Sequence, residues 1–450
     1  MSTLHERLAA LADEAPSALP ETGLWERGRR YGRVRRAGTV AIALVAVLVL
    51  VGIAGVTWQQ GRVPDPAPAG PAPGLPDRIW SPSPWLDGTE EGGPLGQLAA
   101  LLPAARGEMV GSHLALVGIS AETGDYRFLD LPDAAYQLGI TDAALSPDGR
   151  HVAYWLTGTP SGAANPGSAE VPVVGVGLYD TTTGEVTAYR PTVEHGLMPM
   201  TLAWADADHL VVDAGQITES AAEGGSGFGA SSDGPQIWTV GEPGPAAATE
   251  GRGARYVAAA GAGLLLRDGS HHSVVVSRVE DPSATLTRFR VPGDEGLVVS
   301  RALDATATRF ATLDPGVTPG DLLAGPISDG GAGGPRQAQL VRVPRTGSTV
   351  SVLGWTDPEH VVTLRELGPG SEGMDVVRVT VPSGGAETLI RSTAHESLNL
   401  QLATDLLADP TVAGVEPPTP LDPRLTVLLG VLALGAGGLG LRWWRRRVRA

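Results

Sequence analysis

Ile140-Thr-Asp-Ala-Ala-Leu-Ser-Pro-Asp-Gly-Arg-His-Val-Ala-Tyr-Trp155 is the stretch on which the fold is decided. Leu145 ends one apolar run, and Val152 and Tyr154 alternate along a returning one with the period of a half-buried strand. Between them, Ser146-Pro147-Asp148-Gly149 has the composition of a tight turn. Pro147 presets φ at the first corner, Asp148 bonds its own backbone, and Gly149 tolerates positive φ. A β-hairpin is predicted. A second follows, because Val174 to Tyr179 and Glu185 to Tyr189 alternate around Asp180-Thr-Thr-Thr-Gly184. Four antiparallel strands in about 50 residues make one unit of a repeating all-β architecture.

Weaker copies continue along the chain. Leu202-Ala-Trp-Ala-Asp-Ala-Asp-His-Leu-Val-Val212 and Val352-Leu-Gly-Trp-Thr-Asp-Pro-Glu-His-Val-Val362 align closely, with Trp204 and Trp355 where Leu145 stands. Arg301 to Ala311 is a degenerate copy, and Tyr256 to Leu266 another. Anchored on Leu145, Trp204, Ala259, Leu303 and Trp355, the spacings are 59, 55, 44 and 52 residues. Outer hairpins are predicted at Leu114 to Phe128, Val274 to Phe289, Gln337 to Val343 and Asp375 to Leu389. Gly158 to Ala169, Glu219 to Gly234 and Pro326 to Gly334 are Gly/Ser-rich and read as loops.

Leu145-Ser-Pro-Asp-Gly-Arg-His-Val-Ala153 resembles the core motif of the β-propeller repeats in the TolB-like and WD40-like families. That resemblance implies that the hairpin supplies the inner strands of a blade and that the Trp or Leu before its turn packs between blades. The overall layout resembles uncharacterised actinobacterial membrane proteins with WD40-like propellers. The expected fold is an all-β extracytoplasmic β-propeller of six or seven blades flanked by two single transmembrane α-helices.

The flanks carry the membrane signal. No charge interrupts Ala37 to Gly61, and Leu425 to Leu441 is equally free of charge. About 20 apolar residues cross the hydrocarbon of a bilayer. Arg27, Arg29, Arg30, Arg33, Arg35 and Arg36 precede the first stretch, and Arg442, Arg445, Arg446, Arg447 and Arg449 follow the second. The positive-inside bias then places both termini in the cytoplasm. Gly52 and Ala54 would suit a signal peptidase, but the apolar run is longer than an ordinary signal core and follows a 36-residue leader. The expected division is a cytoplasmic segment at 1–36, a transmembrane helix at 37–59, a Pro-rich linker at 60–76 and a propeller at 77–405. A second Pro-rich linker at 406–424, a transmembrane helix at 425–444 and a basic cytoplasmic tail at 445–450 complete it. Two Pro-rich stretches meeting one membrane face imply that the domain's first and last strands are neighbours.

Charge and composition remove several function classes. Every one of the 33 Lys+Arg residues is Arg, and Cys is absent. The formal charge of −16 divides unevenly: the ends carry a surplus of +7, which leaves −23 on the part between. So acidic an exterior repels nucleic acid, and no nucleic-acid partner is expected. Without Lys there is no P-loop, Schiff-base lysine or Ser-x-x-Lys nucleophile, and without Cys there is neither thiol catalysis nor a disulfide. His271-His272 would point to opposite faces of a strand and so does not read as a metal pair. Asp206 and Asp208 lack the ladder of a calcium loop and read as turn residues. Asp148 and Asp357 read likewise, and Trp204 and Trp355 as core. No catalytic, cofactor-binding or metal residue is assigned, and no cofactor is expected.

The cytoplasmic segment has a capping box at Thr3 and Glu6, with Leu4, Leu8 and Leu11 on one helical face and Pro16 as its stop. So short a helix is stabilised by docking, which points to a cytoplasmic protein partner. The favoured reading is a binding, sensing or scaffold module without catalytic activity. Its partners are the membrane lipid bilayer and a protein or glycan ligand outside. Two alternatives stand beside it: a transmembrane regulator whose cytoplasmic segment binds a sigma factor or other partner, and a propeller-type hydrolase or lactonase.

Overall fold

The 140–155 stretch folds as its turn chemistry requires. Ala143–Leu145 and His151–Thr157 pair antiparallel, with Leu145 opposite Val152. The Ser146 hydroxyl accepts the N–H groups of Arg150 at 3.1 Å and His151 at 2.9 Å, and donates to Asp148 Oδ1 at 2.6 Å. Gly149 has φ 72°, and a Cβ there would meet the Leu98 carbonyl oxygen at 2.0 Å. Only glycine fits, because both the left-handed backbone and the close approach exclude a side chain.

The computed structural model describes residues 72–449 except 136–142, 163–170, 219–228, 232–233, 249–255, 260–261, 270–272, 292–299, 315–318, 331–333, 368–372 and 395–398. Internal contacts divide the chain into residues 68–420, which hold the strands, and a second unit made of 1–67 and 421–450.

Within the first unit the strands form successive antiparallel meanders of four principal strands, spanning 143–189, 197–247, 256–290, 301–342 and 349–392; Gly229–Ser231 is an additional strand in the second. The meander at 98–128 has only three strands of its own and takes its innermost one, Gln401–Leu402, from the other end of the unit. Ala100 lies opposite Leu402, and Leu101 opposite Gln401. At the entry side, Arg78–Ile79 adds in parallel to the outer edge of the 349–392 meander. Val412 bridges Pro76, so chain entry and exit lie side by side.

Packing follows the same cycle. Phe289 and Phe310 meet edge to face at 5.2 Å between the 256–290 and 301–342 meanders. Val352 and Val361 share a core with Ala302 and Ala311 of the preceding meander, and Val211 shares one with Leu265. Leu101, Leu145 and Val362 belong to a single cluster that joins the 98–128 meander to the one after it and to the last. Antiparallel meanders packed face to face in a closed cycle constitute the propeller architecture.

Trp204 and Trp355 hold equivalent places in this packing. Trp204 Nε1–H donates at 2.9 Å to the carbonyl of Ala144, on the inner strand of the preceding meander, and Trp355 Nε1–H donates at 3.4 Å to Ala302. Trp204 is buried and Trp355 half-buried. Burying an indole requires a partner for its N–H, and the neighbouring meander supplies it.

In the second unit a helix runs Pro423–Arg449. Asp422 Oδ1 accepts the Arg424 N–H at 2.8 Å and caps it, and Pro423 fills the first helical position, where no N–H is needed. Pro423–Trp443, 21 residues, is long and apolar enough to cross a membrane. Leu429, Leu434 and Leu439 stand 66%, 77% and 71% exposed. The helix continues through Arg449. The first apolar stretch, the capping box of Thr3 and Glu6, and His271-His272 lie outside the described residues.

Three sequence expectations need correction. Gln337 to Val343 does not fold back on itself: Gly334–Ala338 and Val341–Arg342 each pair with Leu322–Gly330, splitting the fourth strand of that meander in two. The expected loop at Pro326 to Gly334 is strand as far as Gly330, held by Ile327 opposite Ala338 and by the parallel pairing of Phe289 with Arg336. Inside the expected loop at Glu219 to Gly234, Gly229–Ser231 pairs with the end of His209–Thr218. The linkers also reach into the fold, since Leu75, Leu406 and Leu407 are buried.

Replacing Trp204 by Phe removes the indole N–H bond to the Ala144 carbonyl, at an expected cost of about 1 kcal/mol. Trp355→Phe is expected to cost less, since its bond is longer and half-exposed. Urea denaturation of both variants checks the order, and an equal or reversed cost would contradict the packing described.

Candidate functional site

The side chains with chemical potential at the inner turns are bound to those turns. Asp206 Oδ1 accepts the N–H groups of Asp208 at 2.9 Å and His209 at 2.8 Å, and pairs with His209 Nδ1 at 2.8 Å. Asp357 repeats the device, accepting from Glu359 N–H at 2.8 Å and facing His360 Nδ1 at 2.8 Å. Asp148 accepts the Arg150 N–H at 3.0 Å. Asp304 takes the N–H groups of Thr308 at 2.7 Å and Arg309 at 2.6 Å, together with the hydroxyls of Thr306 and Thr308.

These bonds set the charge of the turns. Desolvation pushes the Asp304 carboxyl up, but hydrogen bonds from Thr306, Arg309 and Thr308 outweigh it and hold the group below the usual carboxylate range. Asp357 is lowered in the same way: desolvation pushes it up, and the Glu359 N–H and His360 together outweigh that. Asp405 behaves oppositely. Loss of hydration raises it, and repulsion from Asp148 and Asp206 adds to the rise. Among the described residues no group of three or more His, Asp or Glu side chains is placed to hold a metal ion.

The Asp-x-x-His pairs were visible in the sequence as Asp206 with His209 and Asp357 with His360, in the same register of two aligned copies. The sequence reading passed over the histidines. Ser146, already read as a turn residue, and Asp304 do the same work in two other copies with different atoms.

A groove of about 540 Å³ opens where the fourth strand of the 301–342 meander is split. Pro326 has no N–H to give the ladder, and its carbonyl accepts the Gln339 N–H at 2.8 Å instead. A Cβ on Gly325 would lie 1.9 Å from the Gln339 carbonyl oxygen, so glycine alone permits this crossing. Pro326, Leu340, Val341 and Val381 form apolar walls, and Arg309, Gln337 and Gln339 are the polar lining residues. The Arg309 side chain is half-buried and has no hydrogen-bond or ion-pair partner among the described residues. Arg106, Arg190, Arg342 and Arg378, by contrast, each pair with an acid. Nothing in the sequence marked this site, because its parts come together only through the strand split.

No family model matches the chain, and no curated protein matches it. Among solved structures it is similar to a prolyl endopeptidase, with 15% identity over 64% of this chain and 40% of that one, at a TM-score of 0.37. TolB from Acinetobacter baumannii has 12% identity over 66% of this chain and 65% of that one, with a TM-score of 0.35. The nidogen/laminin complex gives 11% identity over 64% of this chain and 92% of that one, with a TM-score of 0.34.

A carboxyl raised in the folded state weakens the fold as pH climbs through its unfolded value toward its folded one. Asp405→Asn is therefore expected to raise Tm more at pH 7 than at pH 4. Equal gains at the two pH values in calorimetry would contradict the repulsion among Asp405, Asp148 and Asp206.

Proposed function

We propose that the chain is a membrane-anchored extracytoplasmic propeller of six blades that works as a binding, sensing or scaffold module rather than a catalyst. The observation that carries this reading is the division of polar groups. Asp206, Asp304 and Asp357, with His209 and His360, are spent on backbone and partner bonds at the inner turns, whereas the side chains of Arg309, Gln337 and Gln339 at the groove have no partner among the described residues. A catalytic site needs the reverse, with a base or nucleophile poised toward an open cleft. The blade count is supported by the run of meanders, each four strands deep once Gln401–Leu402 joins the first.

Anchoring is supported by the apolar helix that follows the β unit and by the arginines on its far side. The uncharged run from Ala37 to Gly61 supports a second span, with both termini in the cytoplasm and the acidic propeller outside. A cytoplasmic partner for residues 1–36 belongs to the same reading as a separate contact.

Two readouts on the full chain test it. An alkaline phosphatase reporter is expected to be active when inserted at residue 200 and inactive when fused after Ala450; the opposite pattern removes the topology. The protein in detergent is expected to turn over none of a panel of ester, lactone and peptide substrates. Turnover abolished by Asp206→Asn or Asp357→Asn would replace the binding reading with an enzymatic one.

A further inference from the structure

We propose that the groove at the split strand is a binding site for a small carboxylate with an apolar body, its carboxylate held by the Arg309 guanidinium. This deepens the binding reading above and rests on it. Three observations converge. First, Arg309 lines a concavity and its side chain has no acid partner among the described residues, in a unit whose formal charge is strongly negative. A half-buried arginine without an anion forgoes the bidentate, charge-assisted bonds it is shaped to make. A ligand carboxylate restores them.

Second, the lining carries no acid at all. Apart from Arg309, its polar side chains are the amides of Gln337 and Gln339, which have no side-chain partner among the described residues. An anion entering here meets one cation and two neutral amides with free donors, so charge complementarity selects a negative head. A phosphate would leave much of its charge uncompensated on a single arginine, whereas a carboxylate matches the two-pronged fork.

Third, the remaining walls are aliphatic. Pro326, Leu340, Val341, Val381 and Pro382 offer carbon surface to the body of the ligand. About 540 Å³ lies within the range of roughly 300–1,000 Å³ typical of small-molecule sites. Val341, 48% exposed, forms part of this wall and is free to contact a ligand. The walls are backbone-fixed: Leu322–Gly330 and both halves of the split strand are tied by ladder pairs on either side of the gap.

The probe is 4-phenylbutyrate, compared with its neutral amide, titrated calorimetrically into the full chain in nanodiscs. The wild type is expected to bind one equivalent of the acid more tightly than the amide. Arg309→Gln is expected to weaken the acid at least tenfold and leave the amide unchanged. Val341→Glu, at an exposed position away from the core, is expected to weaken the acid through repulsion while Tm holds. Absence of saturable acid binding, or acid affinity indifferent to both substitutions, overturns the proposal. If a different ligand binds the protein regardless of Arg309, the groove proposal falls and the binding-module reading stands. Substrate turnover would instead sink the parent reading.

Discussion

The whole β unit depends on a backbone pairing between its two ends. The 98–128 meander begins without an inner strand, and its inner edge would present unpaired N–H and C=O groups to the centre of the ring. Gln401–Leu402 covers that edge. The side chain of Gln401 then extends the bonding into the next meander, accepting the Leu145 N–H at 2.8 Å and donating to the Ala143 carbonyl at 2.8 Å. On the outer side, Arg78–Ile79 closes the last meander. A lone meander exposes both faces and is marginal in water, so each one here is stabilised by its two neighbours. Breaking the ring at one place exposes apolar faces on either side of the break. Closure by such distant segments requires the ends of a long chain to meet before the last faces are buried, which belongs to the slow, non-local class of folding topology.

The part of this fold legible in the sequence is its local part. Leu145 to Tyr154, the Asp180 to Gly184 turn, and the copies ending in Trp204 and Trp355 combine period-two apolar residues with turn residues whose conformations are preset. Such hairpins need no knowledge of the rest of the chain. The closing pair was legible only in outline, through two Pro-rich stretches flanking one domain, because nothing in Gln401 or Leu402 names Leu101 or Ala100 as a partner. The strand split at Pro326 shows the opposite failure. Proline and glycine suggested a loop, but tertiary pairing of Ile327 with Ala338 and of Phe289 with Arg336 kept the segment extended. The candidate site was hidden for that same reason, since it exists only where the two half-strands part.

Charge is distributed by the same logic. A carboxylate can cap a turn at little cost when two or three N–H groups converge on it, and Asp206, Asp304 and Asp357 are used in this way. Arg106, Arg190, Arg342 and Arg378 answer acids across strand or meander boundaries. The backbone that carries Arg309 is pinned to Asp304 through its N–H, and the residue lines the groove. In the C-terminal helix the balance inverts, with leucines outward and arginines gathered after Leu441.

Ring closure is open to a direct measurement because the chain contains no cysteine. Ala100 and Leu402 are directly opposed in an antiparallel pair, where Cα atoms lie about 4.5–5.5 Å apart, within the roughly 4.4–6.8 Å that a disulfide spans. The double substitution Ala100→Cys and Leu402→Cys, made under oxidising conditions, is expected to give an intramolecular disulfide in nearly every molecule and to add about 2–4 kcal/mol of stability. Two thiols that stay free and alkylate only after unfolding would contradict the closed ring.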